Sequence, residues 1–139
     1  SVQNDFFQFL LRNTDSSVAY QHNGKLMYRD KEFIPLPYDF DMTGWVNPSY
    51  AVVNNSLGIS SVQDRIYRGF KRDQEYFDEV REQFIERKSE LMEMVASFES
   101  EFSNPNEFKT MFDFMNDFYQ ILEDDAKFEE KIVANARTK

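Results

Sequence analysis

The sequence contains no cysteine. Disulfides, thiolate-bound metals and thiol nucleophiles are therefore excluded. The one histidine, His22, cannot build a zinc site by itself, so no zinc is expected. With a single imidazole and no nucleophile-elbow pattern around any serine, a hydrolase triad is not expected either. The four glycines are scattered at Gly24, Gly44, Gly58 and Gly69, so no glycine-rich loop is present to cradle phosphates. No apolar run is long enough to span a bilayer. The opening Ser1-Val2-Gln3-Asn4-Asp5 lacks the basic start and apolar stretch of a secretory signal. Positive charge is also scarce, with 16 Lys and Arg against 25 Asp and Glu and a net charge of −9. Through Phe70 the chain carries 7 acids and 6 bases, and from Lys71 onward 18 acids and 10 bases. A nucleic-acid partner needs a basic patch that releases counterions, and an anionic membrane surface selects for the same, so neither partner is expected. Lack of cysteine fits any compartment, and a soluble, cytoplasmic protein is the working expectation.

What is present points to one folded domain over residues 1–139, mainly α with a small β-hairpin. The chain is 41% apolar and 17% aromatic, with 15 phenylalanines whose rings bury much area per residue. Its two parts follow different patterns. In residues 71–139, Phe77, Val80, Phe84, Leu91, Met94, Val95, Phe98 and Phe102 recur at helical spacing, with Asp78, Glu82, Glu86, Arg87 and Glu93 between them. Asn104-Pro105-Asn106-Glu107 restarts a helix through a cap, a first-turn proline and a capping-box glutamate. The next stripe is Phe108, Met111, Phe112, Met115, Phe118 or Tyr119, and Leu122. Two antiparallel helices with aromatic stripes in contact are expected. Such a Met and Phe stripe is core rather than a cofactor pocket, so no haem or flavin is expected.

Residues 1–70 mix element types. A short helix over residues 5–12 carries Phe6, Phe7, Leu10 and Leu11, and a polar loop over residues 13–24 follows. Lys25-Leu26-Met27-Tyr28 and Phe33-Ile34-Pro35-Leu36 flank Arg29-Asp30-Lys31-Glu32, which predicts a hairpin with a loose four-residue connection. Pro35 and Pro37 mark an edge strand, because proline cannot donate to a ladder. Residues 39–58 read as irregular. Ser60-Ser61-Val62-Gln63 then predicts a helix start, with Val62, Ile66, Tyr67 and Phe70 as its apolar side. Trp45, Tyr50 and Tyr67 are expected to pack residues 44–58 onto the helices.

Candidate chemistry concentrates in residues 13–45. Asp15 follows an apolar helix in a polar loop, Asn23 immediately precedes the first strand, and Asp39 and Asp41 follow the second. A hairpin brings its two ends together, so Asn23 and Asp39 should be neighbours, with the Asp15 loop closing over the same end. An Asp, Asn and Asp set of this kind offers hard oxygen ligands suited to Mg²⁺ or Ca²⁺.

This order resembles the catalytic, lower lobe of the protein-kinase-like fold, and most nearly the atypical spore-coat kinase and persister-toxin kinase families with their bacterial relatives. The matching residues are Asn13-Thr14-Asp15, His22-Asn23, Leu36-Pro37-Tyr38-Asp39-Phe40-Asp41 with Met42-Thr43-Gly44, and Arg65-Ile66-Tyr67-Arg68-Gly69-Phe70. The resemblance implies Mg²⁺ and ATP as cofactors. It implies that Asp15 orients and deprotonates a substrate hydroxyl, that Asn23 and Asp39 hold the metal against the nucleotide phosphates, and that Asp41 is an outer or alternative ligand. It covers residues 6–41 by motif and the remainder by class. No strand-borne Lys paired with a helical Glu precedes Asp15, so a missing N-terminal nucleotide-binding lobe or a homodimer partner is implied, and little activity is expected from these residues alone. Taken singly, each residue has a plainer reading: Asp15, Asp39 and Asp41 as backbone caps, Asn23-Gly24 as a turn pair, His22 as a loop residue. The competing expectation for the whole chain is a non-enzymatic, acidic helical interaction domain or pseudokinase.

Overall fold

The computed structural model describes residues 1–15, 22–41, 43–45 and 64–138. The expected helix start at residues 60–63, Val62 and Tyr50 lie outside the described residues. Among the described residues the protein is mainly helical with one two-stranded antiparallel sheet. They divide into two compact units, Ser1–Phe70 with Asn135–Lys139, and Lys71–Ala134.

In the first unit, helix α1 spans Val2–Leu10 rather than residues 5–12. It begins early because the Ser1 hydroxyl accepts from the Asn4 amide at 3.4 Å, which satisfies one of the first-turn donors. It stops because Arg12 turns into the left-handed region, φ 51°. The Arg12 amide then bonds the Phe9 carbonyl at 3.2 Å and the Asn13 amide bonds Gln8 at 2.9 Å. This is a Schellman closure with arginine where glycine is usual.

The core of this unit forms around Phe6, Phe9 and Tyr67, all buried. Tyr67 meets both rings edge-on, at 5.9 and 6.0 Å between centroids. Residues 64–70 are not helical, contrary to the expectation from Ile66, Tyr67 and Phe70. Side-chain anchoring replaces helical bonding there: Arg65 donates to the carbonyls of Phe9 (3.0 Å) and Leu10 (3.2 Å), and Arg68 donates to that of Thr14. These carbonyls lie at and beyond the C-terminal end of α1, where orphan acceptors and a negative dipole end favour cations. Gly69 lies so close to the Tyr67 ring that a Cβ would collide with it. Phe70 then forms a parallel bridge with Arg137, whose amide donates to the Gly69 carbonyl at 2.9 Å and whose guanidinium lies 4.4 Å from the Phe70 ring centroid.

Strands β1 (Gly24–Arg29) and β2 (Glu32–Pro37) pair from Gly24 opposite Pro37 to Arg29 opposite Glu32. The connection is tighter than the expected loose loop. Only Asp30 and Lys31 lie between the strands, both with positive φ (52° and 69°), the signature of a type I′ turn. That turn twists with the strands, so the register wins over the residue preference for Asn-Gly.

The second unit contains α2 (Gln74–Glu86), α3 (Lys88–Ala96), α4 (Pro105–Glu123) and α5 (Asp125–Phe128), the last continued by a wide helical turn, Glu129–Val133. Asn104 caps α4 through its side chain, accepting from the Asn106 amide at 3.0 Å, with Pro105 in the first turn as the sequence predicts. The first stripe does not run along a single helix. The chain breaks at Arg87, and beyond it Met94 and Phe98 stand about half exposed while Val95 is buried. On the other stripe Phe114, Met115, Phe118, Tyr119 and Leu122 are buried.

α2 and α4 run in opposite directions. Arg81 donates to the Leu122 carbonyl at 2.5 Å and to Asp125 at 2.7 Å, while Phe84 packs edge-on against Phe118 at 5.6 Å. The Tyr119 hydroxyl donates to the Phe84 carbonyl at 3.2 Å. Burial, helped by the Glu123 charge, pushes that phenol up to about 12. Arg81 also covers the Phe128 ring at 4.4 Å.

Candidate functional site

The Schellman closure of α1 delivers the chain into the loop carrying Asp15. Asn13 is the brace between them. Its side-chain amide donates to Gln8 Oε1 at 2.7 Å, and its Oδ1 accepts from the Asp15 amide at 3.1 Å. Asn13 is buried, and its bond to Gln8 is sheltered from water. Arg68, bonded to the carbonyl of Thr14, fixes the residue between. Burial and the charge of Arg137 push the Arg68 pKa down, and Asp15 pulls it back up.

Asn23 stands at the base of β1 with φ 52°, a left-handed position that asparagine tolerates well. Its Nδ2 donates to Asp15 Oδ2 at 2.9 Å and to the Asp15 carbonyl at 3.4 Å. That engagement leaves the Asn23 carboxamide oxygen as the atom able to meet a cation. The other carboxylate oxygen of Asp15 lies 3.2 Å from His22 Nε2. Asp15 is thus held on both oxygens, by groups eight and seven residues away.

The hairpin closes where it was expected to. The Tyr38 amide donates to the Asn23 carbonyl at 3.0 Å, which sets Asp39 beside the Asn23 end of the ribbon. Asp39 has φ 62°, so the chain reverses there and turns Asp41 back toward it. The Asp39 pKa is raised, first by a hydrogen bond shared with the Asp41 carboxyl and then by repulsion from the Asp41 charge, with partial desolvation and the Asp15 charge adding to it. A shared proton between two close carboxyls is the usual response to such crowding. Thr43, fully buried, holds the following turn by donating its hydroxyl to the Phe40 carbonyl at 2.8 Å, and the Gly44 amide reaches back to the Arg12 carbonyl at 3.4 Å.

The structure therefore joins Asp15 directly to Asn23, pairs Asp39 with Asp41, and puts the two acidic centres within electrostatic reach of each other. Among the described residues no three His, Asp or Glu side chains converge as a self-sufficient metal cage. Asn23, Asp39 and Asp41 offer hard oxygen donors at this end of the hairpin. Asn13, His22 and Thr43 fall in the motifs read from the sequence, but their supporting contacts (the brace, the bond to Asp15 and the hold under the Asp39 turn) do not follow from it, and Arg12 in the left-handed closure leaves no signal. Only the Arg65 and Arg68 pair, two bases in a short span of an acidic chain, leaves a visible signal. No known family model, curated protein or solved structure matches this chain.

Proposed function

We propose that this chain is the catalytic-loop portion of an atypical Mg²⁺- and ATP-dependent phosphotransferase. The observation that carries the reading is the bonded Asp15 and Asn23 pair at one strand base, with the Asp39 and Asp41 pair at the other. Asp15 accepts the proton of a substrate hydroxyl. The freed oxygen attacks the γ-phosphorus, and the bond to the β-phosphate oxygen breaks to release ADP. Mg²⁺, when bound, supplies charge neutralisation on the phosphates. Asn23 and Asp39 would hold it, with Asp41 as an outer or alternative ligand. Asp41 keeps Asp39 crowded, and a cation held there would relieve the repulsion between the two carboxyls. Asn23 and His22 hold the Asp15 carboxylate in a fixed direction, the chief thing phosphoryl transfer asks of a protein. A further segment or partner supplies the lysine and the loop that grip the nucleotide.

A second reading, an acidic helical interaction domain or pseudokinase, is favoured by the second unit. There 18 acidic side chains accompany 8 basic ones over residues 71–134, a surface suited to a basic partner.

Calorimetry with Mg²⁺–ATP, on the chain and on Asp39→Asn, separates the two. Binding that needs both the metal and Asp39 supports the phosphotransferase. Absence of binding, repeated with a nucleotide-gripping lobe supplied in the same chain, leaves the interaction domain.

A further inference from the structure

Two arginines come together beside the Asp15 loop. The parallel bridge between Phe70 and Arg137 brings Arg137 alongside the segment that carries Arg68. The Arg68 guanidinium is fixed by its bond to the carbonyl of Thr14, the residue before Asp15. That of Arg137 lies over the Phe70 ring at 4.4 Å, while its amide is tied to the Gly69 carbonyl at 2.9 Å. Each half-buried cation therefore has its own anchor. They repel one another: after burial, the Arg137 charge is the chief cause that lowers the Arg68 pKa. The carboxylate in range does not neutralise them. Asp15 turns its oxygens to His22 and Asn23, and it is ion-paired with neither arginine. Arg65, by contrast, directs its donors to the carbonyls of Phe9 and Leu10. The Arg137 Nε is buried without an acceptor, and among the described residues no carboxylate pairs with its guanidinium. A buried donor of this kind, next to a second cation, is what a bound anion completes.

We propose that Arg68 and Arg137 form an oxyanion site for a phosphate monoester group carried by the acceptor substrate. Two guanidinium groups present two planar forks and two charges, which match a tetrahedral dianion, whereas a carboxylate needs only one of each. The Phe70 ring covers one face of the Arg137 plane and leaves the terminal nitrogens in that plane to donate. Arg68 is tethered beside Asp15, so a phosphate held there keeps a hydroxyl of the same molecule near the Asp15 carboxylate. The nucleotide phosphates belong with Asn23, Asp39 and Asp41, which leaves this second anion to the acceptor. That assignment rests on the phosphotransferase reading, and the oxyanion site itself does not.

Titration of the whole chain with inorganic phosphate, followed by the nitrogen-15 resonances of the arginine Nε–H groups, tests the site without metal or nucleotide. Saturable shifts are expected at Arg68 and Arg137, with little movement at the exposed Arg29 and Arg72. Acetate, and chloride at equal ionic strength, should not reproduce them. Arg137→Met keeps the backbone bridge and the apolar contact with Phe70, and should weaken phosphate binding about tenfold or more. The unfolding midpoint read from Trp45 fluorescence checks that the first unit of this variant is folded. Glycerol phosphate, a phosphorylated alcohol, should displace inorganic phosphate, and ADP should not. Absence of saturable shifts at the two arginines, shifts that chloride reproduces, or binding that Arg137→Met leaves intact overturns the oxyanion site. Displacement by ADP and not by glycerol phosphate overturns the assignment to the acceptor. A phosphate site that persists where Mg²⁺–ATP does not bind tells failure of the phosphotransferase reading apart from failure of the site.

Discussion

Replacing Asn13 with alanine tests the idea that a buried carboxamide, rather than the helix itself, places Asp15. The change removes the 2.7 Å bond to Gln8 and the 3.1 Å bond from the Asp15 amide, each contributing about 1 kcal/mol net. It also strands Gln8 Oε1. Gln8 is only 9% exposed, and its Nε2 has no hydrogen-bond partner among the described residues, so the whole carboxamide becomes a buried orphan at a cost of about 1–3 kcal/mol. The expected loss is about 3–5 kcal/mol in the first unit. Trp45, the one tryptophan, belongs to that unit and reports it by fluorescence, whereas far-UV dichroism is weighted toward the helices of residues 71–134. With a urea slope of roughly 2 kcal/mol per molar, the fluorescence midpoint should fall by about 1.5–2.5 M. Gln8→Met in the same background should recover about 1–2 kcal/mol, because removing both polar partners is far cheaper than removing one. A midpoint shift below about 0.3 M, or losses from the two single changes that simply add, would refute the reasoning.

Other expectations concern the turn, the acidic pair and the second unit. Lys31→Gly should stabilise the hairpin by about 0.5–1 kcal/mol, since it relieves a left-handed backbone but frees the unfolded chain. Slower amide exchange at Met27 and Ile34, whose N–H groups point into the ribbon, reads this out. The raised Asp39 pKa means that the folded protein holds a proton the unfolded chain releases. Its stabilising effect is complete below the ordinary value of 3.8 and is lost as pH rises through the folded value. Carbon-13 titration of the Asp39 carboxyl should fall back toward 3.8 in Asp41→Asn. Arg81→Ala should cost the second unit about 2–3 kcal/mol by unmaking a forked contact to Leu122 and Asp125, and Arg81→Lys should recover little, because an ammonium cannot make both bonds. Dichroism-monitored unfolding measures both variants.

The elements legible in the sequence were those written in local chemistry. Pro35 and Pro37 alternate along β2 and mark its outer edge, and Asn104-Pro105 opens α4. The proximity of Asn23 to Asp39 followed from hairpin closure alone. What escaped was set by distant groups. The break at Arg87 has no glycine or proline to announce it, only the absence of apolar residues between Ile85 and Leu91. Ile66 and Phe70 keep helical spacing, but Arg65 and Arg68 spend their donors on carbonyls more than fifty residues earlier and hold the backbone out of a helix. The bonds that orient Asp15 come from Asn13, whose burial no neighbouring residue signals, and from His22 and Asn23 across a loop.

Seen through its closure by Arg137, the first unit is a discontinuous body with a helical insert. Phe70 and Arg137 are bridged, so the first unit is sealed by residues far apart in the chain. The bridge at Phe70 can form only once Arg137 has been made, so the first unit is completed by residues that follow the second in the chain.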